Sequence, residues 1–246
     1  MKVVILAGGY GTRLAGYTKL IPKPMVKIGK LPILIHIMKL YASYGYKNFY
    51  IALGYKSIVV KKFFKKFKKL NKKFVYSLNG SKCNITLVYS GNNTFTGGRL
   101  KRLKNFIKPN ENFMLTYGDG ICSVNLNKLE TFHEKNKKLI TVTAVRPPAR
   151  FGEIVLSKNK VSYFKEKPQV GNGWINGGFF VVNQKFLNFI KNDNTVLEKE
   201  PLEEASKLGQ FYAYKHNGFW KCMDVKRDKD VLEEIYKKNK FRWKKQ

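Results

Sequence analysis

The chain has 246 residues, 43% hydrophobic and 14% aromatic, enough apolar material to bury a core, which excludes wholesale disorder. Its 48 basic and 16 acidic residues give a net charge of +32, a balance that suits a polyanionic partner. Only seven of the basic residues are arginine, the side chain on which base readout and bidentate phosphate clamping lean, so charge alone selects neither nucleic acid nor a membrane surface.

Length predicts one domain with an extension. Cys83, Cys122 and Cys222 form no CxxC pair and His36, His133 and His216 are scattered, which argues against a disulfide scaffold or zinc site and for a reducing cytoplasm. The apolar run at 3–7 is too short for a signal-peptide core, and no stretch approaches the roughly 20 apolar residues of a membrane span.

In chain order, the β-branched run at 3–7 stops at Gly8-Gly9 and predicts a strand buried on both faces. An amphipathic helix follows at 32–42, a second buried strand at 48–53 and a second helix at 55–70. Phe63, Phe64, Phe67 and Leu70 stripe that second helix at i, i+1, i+4 and i+7. The stripe predicts a face packed on a sheet with lysines in water, in preference to a membrane-surface helix. The alternation continues with a strand at 85–90, a helix at 98–106, a strand at 113–117 and a helix at 125–136. Such β-α alternation predicts a mostly parallel sheet with helices on both faces.

After a strand at 139–145 the rhythm changes. Segments 152–156 and 160–164 predict a hairpin, 175–182 another strand, and 198–208 and 225–238 closing helices. The change of rhythm predicts a division of the one domain at about 138, into 1–138 and a second half, 139–246, that includes the closing helices.

The segment at 6–14, Leu-Ala-Gly-Gly-Tyr-Gly-Thr-Arg-Leu, lies at the carboxyl end of the first strand. Glycines there let backbone N–H groups approach a phosphate, or simply make a tight turn. The loop lacks the Gly-Lys-Ser/Thr ending of a Walker A loop and the third glycine of the dinucleotide fingerprint. Farther on, Lys23 stands between Pro22 and Pro24 on a segment expected to be stiff and extended, which suits a catalytic cation; read alone it is a surface lysine. Asp119, Gly-flanked after an apolar strand, is placed to expose a carboxylate at the sheet's carboxyl edge; read alone it is a turn residue or helix cap.

Together with 94–102, 116–120, 164–168, 175–180 and 218–224, these motifs resemble, in order and over essentially the whole chain, the sugar-1-phosphate nucleotidyltransferase family. The resemblance implies a Rossmann-like α/β fold, a mostly parallel mixed sheet with a small β-rich sugar-binding extension. It implies cytidylyl transfer from CTP to glucose 1-phosphate, with thymidylyl, uridylyl or guanylyl transfer to a hexose 1-phosphate as the alternative. By the same resemblance Leu6, Ala7, Gly8, Gly9, Gly11 and Thr12 hold the nucleotide, Arg13 and Lys23 its phosphates, and Thr94, Thr96, Gly97 and Arg99 the base and ribose. Gly152, Glu166, Lys167, Asn176 and Gly177 would bind the sugar phosphate. Asp119 and Asp224 would hold Mg²⁺, with Arg13, Lys23 and Asp119 catalytic.

The implied partners are CTP, glucose 1-phosphate and further copies of the chain in a hexamer, with no nucleic acid and no membrane. Leu31 and Ile21 depart from the family, which carries basic residues there, and Lys27 or Lys30 are the candidate replacements. A basic nucleic-acid-binding protein is the reading from another class; it expects steeply salt-sensitive binding and leaves the glycine loop and the aspartates unexplained.

Overall fold

A computed structural model describes residues 1–70, 73–147, 153–165 and 173–238. The first strand, Lys2–Ala7, alternates its side chains between two cores. Val3, Ile5 and Ala7 join one apolar cluster, Val4 and Leu6 the other. The same period of two divides Phe49, Ile51 and Leu53 from Tyr50 and Ala52 on the neighbouring strand. A strand buried on both faces reads as a continuous apolar run for this reason.

The central sheet has nine strands. Their order is Phe211–His216, Ile140–Val145, Ile175–Asn183, Asn112–Tyr117, Lys2–Ala7, Asn48–Leu53, Ser81–Tyr89, Lys73–Leu78, Lys69–Leu70. Ile175–Asn183 and Lys73–Leu78 run against the rest, so the sheet is mixed but mostly parallel. Helices Ile33–Ser43, Ser57–Lys65, Leu126–Asn136 and Lys226–Lys237 cover one face. Thr96–Lys101 and Glu200–Lys207 cover the other. The strands on either side of residue 138 share this one sheet. A separate two-stranded hairpin, Glu153–Ser157 with Lys160–Lys165, carries part of the expected β-rich extension. No described helix is long and apolar enough to cross a membrane.

Three expectations change. The helix expected over 55–70 spans only Ser57–Lys65. Lys69–Leu70 instead starts a hairpin with Lys73–Leu78, which brings Phe74 and Tyr76 against Phe64 and Phe67, so tertiary aromatic packing overrides the helical period. The helix expected over 98–106 divides into Thr96–Lys101 and a 3₁₀ turn, Lys104–Phe106. Edge strand Phe211–His216 and the short pair Gly120–Cys122 with Trp220–Cys222 have no counterpart in the reading above.

Candidate active site

Strands Lys2–Ala7, Asn48–Leu53, Ser81–Tyr89 and Asn112–Tyr117 run in the same direction, so their carboxyl ends, and the loops that follow them, meet at one edge of the sheet. That is where open α/β sheets bind ligands. The cleft there has a volume of about 580 Å³, within the size range of small-molecule sites. Every residue expected to hold the nucleotide lines it except Gly97, whose backbone N–H instead reaches Thr195 O at 3.0 Å.

The glycine loop is shaped by two contacts. A Cβ on Gly8 would lie 2.2 Å from Arg99 Nη1 and 2.9 Å from Gly54 N, so no side chain fits there. Gly11 has φ +65°, and its carbonyl accepts hydrogen bonds from Leu14 N and the Thr18 hydroxyl, turning the chain into the 3₁₀ segment Thr12–Leu14. The opposite wall is held from behind by Arg99. Its guanidinium donates to Ser90 Oγ at 3.0 Å, Gly91 O at 2.6 Å and Asn92 O at 3.0 Å. Burial pushes its pKa down from the usual arginine value. The Tyr10 hydroxyl donates to Asn93 Oδ1 at 2.7 Å, bridging the two walls.

Lys23 is 8% exposed. Pro22 is extended as expected, but Lys23 itself opens the 3₁₀ turn Lys23–Met25, which corrects the expectation of an extended segment. Its Nζ donates to Asp119 Oδ2 and to Asp224 Oδ1, each at 2.6 Å. Arg13 reaches the other oxygen of Asp224 at 3.0 Å. Burial works to lower the Lys23 pKa, but the Asp119 charge and the hydrogen bonds to both carboxylates outweigh it and leave it raised.

The two aspartates meet because the strand pair Gly120–Cys122 with Trp220–Cys222 sets Cys222 opposite Gly120, and Met223 N donates to Asp119 O at 2.9 Å. Asp228 Oδ2 accepts from the Asp224 backbone N–H at 3.0 Å and fixes the turn into the last helix. One donor atom from each of Asp119, Cys222 and Asp224 lies within 4.8 Å of the others. Carboxylate oxygens that already hold one cation, the Lys23 ammonium, are a chemically fitting pair for a divalent ion.

Asn176 and Gly177 begin strand Ile175–Asn183 at the same edge of the sheet. Asn176 Oδ1 accepts from Gly178 N at 2.8 Å while its Nδ2 reaches the Tyr117 hydroxyl at 3.5 Å. Gly177 O accepts from Trp220 Nε1 at 2.7 Å. Gly152, Glu166 and Lys167 lie outside the described residues. Ile21, Lys27, Lys30 and Leu31 are not part of the cleft lining.

Sequence reasoning missed several residues here. Asn92, Asn93 and Tyr117 line the cleft, and Glu198 links two of its lining segments by accepting from Tyr117 OH at 2.5 Å and Thr96 Oγ1 at 2.7 Å. The asparagine pair beside Gly91 was a readable turn signal, whereas nothing local marks Glu198.

The family model for nucleotidyl transferases matches residues 2–229. The chain is 43% identical to glucose-1-phosphate cytidylyltransferase of Salmonella typhi, over 99% of each chain. It is 37% identical to a probable glucose-1-phosphate cytidylyltransferase of Bacillus subtilis, again over 99% of each. Among solved structures, HddC from Yersinia pseudotuberculosis superposes with a TM-score of 0.73 at 24% identity, covering 96% of this chain and 99% of that one, a likeness of fold.

Proposed function

The chain belongs to the nucleotidyl transferase family, and from that membership we propose that it transfers a cytidylyl group from CTP to glucose 1-phosphate, releasing pyrophosphate and CDP-glucose. The observation that carries the reading is the meeting of Lys23, Asp119, Asp224 and Arg13 beside the glycine loop, at the edge where four parallel strands end. The choice of CTP and glucose 1-phosphate follows the named activity of relatives that match end to end.

The backbone at 8–12 borders the triphosphate, and the open space beside Gly9, where a Cβ would meet nothing within 4 Å, lets it approach the loop closely. A sugar 1-phosphate is largely dianionic at neutral pH, its second pKa being about 6, so its oxygen needs no general base. In-line attack on the α-phosphorus of CTP expels pyrophosphate. Arg13 and Lys23 hold positive charge beside the reacting phosphates, each contact worth on the order of 4 kcal/mol at about 4 Å and an effective dielectric of about 20. Asp119 and Asp224 would hold Mg²⁺, which when bound supplies further charge neutralisation. Asn176 and Gly177, with Gly152, Glu166 and Lys167, would receive the sugar phosphate. Three free cysteines suit a reducing cytoplasm, and the working form we propose is a homo-oligomer, a hexamer.

The test is pyrophosphate release with Mg²⁺, glucose 1-phosphate and each nucleoside triphosphate in turn. CTP gives the fastest release on this reading. Preference for another base overturns the CTP assignment, and silence with every pair overturns nucleotidyl transfer to this sugar phosphate.

A further inference from the structure

Cys222 is a half-buried thiol that the reaction above leaves without a task. It ends the strand Trp220–Cys222 opposite Gly120, so the ladder sets it next to Asp119 in space and two residues before Asp224 in the chain. With the three donor atoms all within 4.8 Å of one another, the fit to a single ion can be judged from bond lengths. A sulfur at about 2.3 Å and an oxygen at about 2.0–2.2 Å from one tetrahedral ion lie about 3.6 Å apart. From separations of up to 4.8 Å the donors draw in by at most about 1.2 Å to share one ion.

We propose that Cys222 is a third, sulfur donor to this site, so that thiophilic divalent ions such as Co²⁺, Zn²⁺ and Cd²⁺ bind there more tightly than Mg²⁺. The inference deepens the reading of Asp119 and Asp224 as a divalent-ion pair and rests on it. Mg²⁺ takes oxygen ligands and gains nothing from a thiol, whereas softer ions gain a bond to sulfur. In forming that bond the thiol loses its proton to solvent and the sulfur keeps the electron pair that it shares with the ion; no oxidation state changes. The Lys23 ammonium, now 2.6 Å from both carboxylates, gives way to the incoming ion. Cys83 and Cys122 belong to no such donor group among the described residues, so the sulfur signal is assignable to one position.

The experiment is a titration of the full chain with Co²⁺ alone, followed by absorption. The wild-type protein develops a thiolate-to-cobalt charge-transfer band in the near ultraviolet that saturates with the ion. In Cys222→Ala and Cys222→Ser the band disappears, and Co²⁺ and Cd²⁺ affinities fall roughly 10- to 100-fold. Mg²⁺ affinity, carried by oxygens, keeps its value in both variants. A wild-type Co²⁺ complex without the band overturns the proposal, whatever the variants do, and so does a band that survives in Cys222→Ser. Pyrophosphate release by the wild-type protein with Mg²⁺ separates the two readings. Turnover without the band removes the sulfur ligand alone, and the band without turnover keeps the sulfur ligand while removing the reaction.

Discussion

Lys23 is a cation kept charged inside a cleft wall, with two carboxylates in place of the water it has lost. Removing it takes away positive charge where the triphosphate is expected to lie. Lys23→Ala therefore lowers turnover by roughly 10²–10³-fold, the scale set by deleting one preorganised electrostatic contact. It also removes the ammonium that competes for Asp119 and Asp224, so Mg²⁺ titrated without nucleotide binds Lys23→Ala more tightly than wild type. Asp119→Asn has the opposite effect on the metal, weakening Mg²⁺ binding, with a similar loss of turnover. Near-wild-type pyrophosphate release from either variant contradicts these roles. Tyr10 is 47% exposed, yet its hydroxyl spans to Asn93 and its ring lies 5.0 Å from that of Tyr55. Losing that one hydrogen bond in Tyr10→Phe is worth about 1 kcal/mol. It should raise the KM for the nucleotide severalfold and leave kcat in place, as steady-state kinetics would report.

At the scale of elements, the helix Ser57–Lys65 shows what can and cannot be read locally. Its apolar stripe correctly placed Phe64 in the core, where it is fully buried among Phe63, Phe67, Phe74 and Tyr76. The partners that end the helix early arrive from a hairpin later in the chain, and no window of the helix contains them. Phe64→Ala should cost about 3–5 kcal/mol in urea unfolding, whereas Lys61→Ala on the exposed face should cost little. The parallel strands were legible because burial on both faces leaves uninterrupted apolar runs. Phe211–His216 was not, because an edge strand with half-exposed, mixed residues carries a weak alternation. The glycine loop was legible from local spacing alone. The union of Asp119 with Asp224 depends on a three-residue strand pair between distant segments, and only the family resemblance pointed to it.

For the whole molecule, the pH dependence of stability lies with a few buried histidines. His133 is 2% exposed, with Nδ1 2.9 Å from Thr141 Oγ1, and burial pushes its pKa down to about 4. His36 and His216 shift in the same direction, for the same cause. Below pH 6.5 the unfolded chain takes up a proton at His133 before the folded one does. Its contribution is therefore complete above pH 6.5 and is lost as pH falls toward 4. At about pH 5 the His133 share of that loss is about 2 kcal/mol relative to neutral pH. Urea unfolding at the two pH values should show it, and His133→Gln should flatten the dependence. Lys23, with its pKa raised, keeps its charge throughout this window.

The cleft and its cation cluster are the centre of the account, and the direct measurement is a crystal structure of the protein with CTP and Mn²⁺ standing in for Mg²⁺. The expected result is an anomalous peak ligated by Asp119 and Asp224, with the triphosphate along 8–13 and the Lys23 ammonium turned from the carboxylates toward phosphate. A nucleotide bound elsewhere, or a metal on phosphate oxygens with Lys23 still bridging both aspartates, would contradict it.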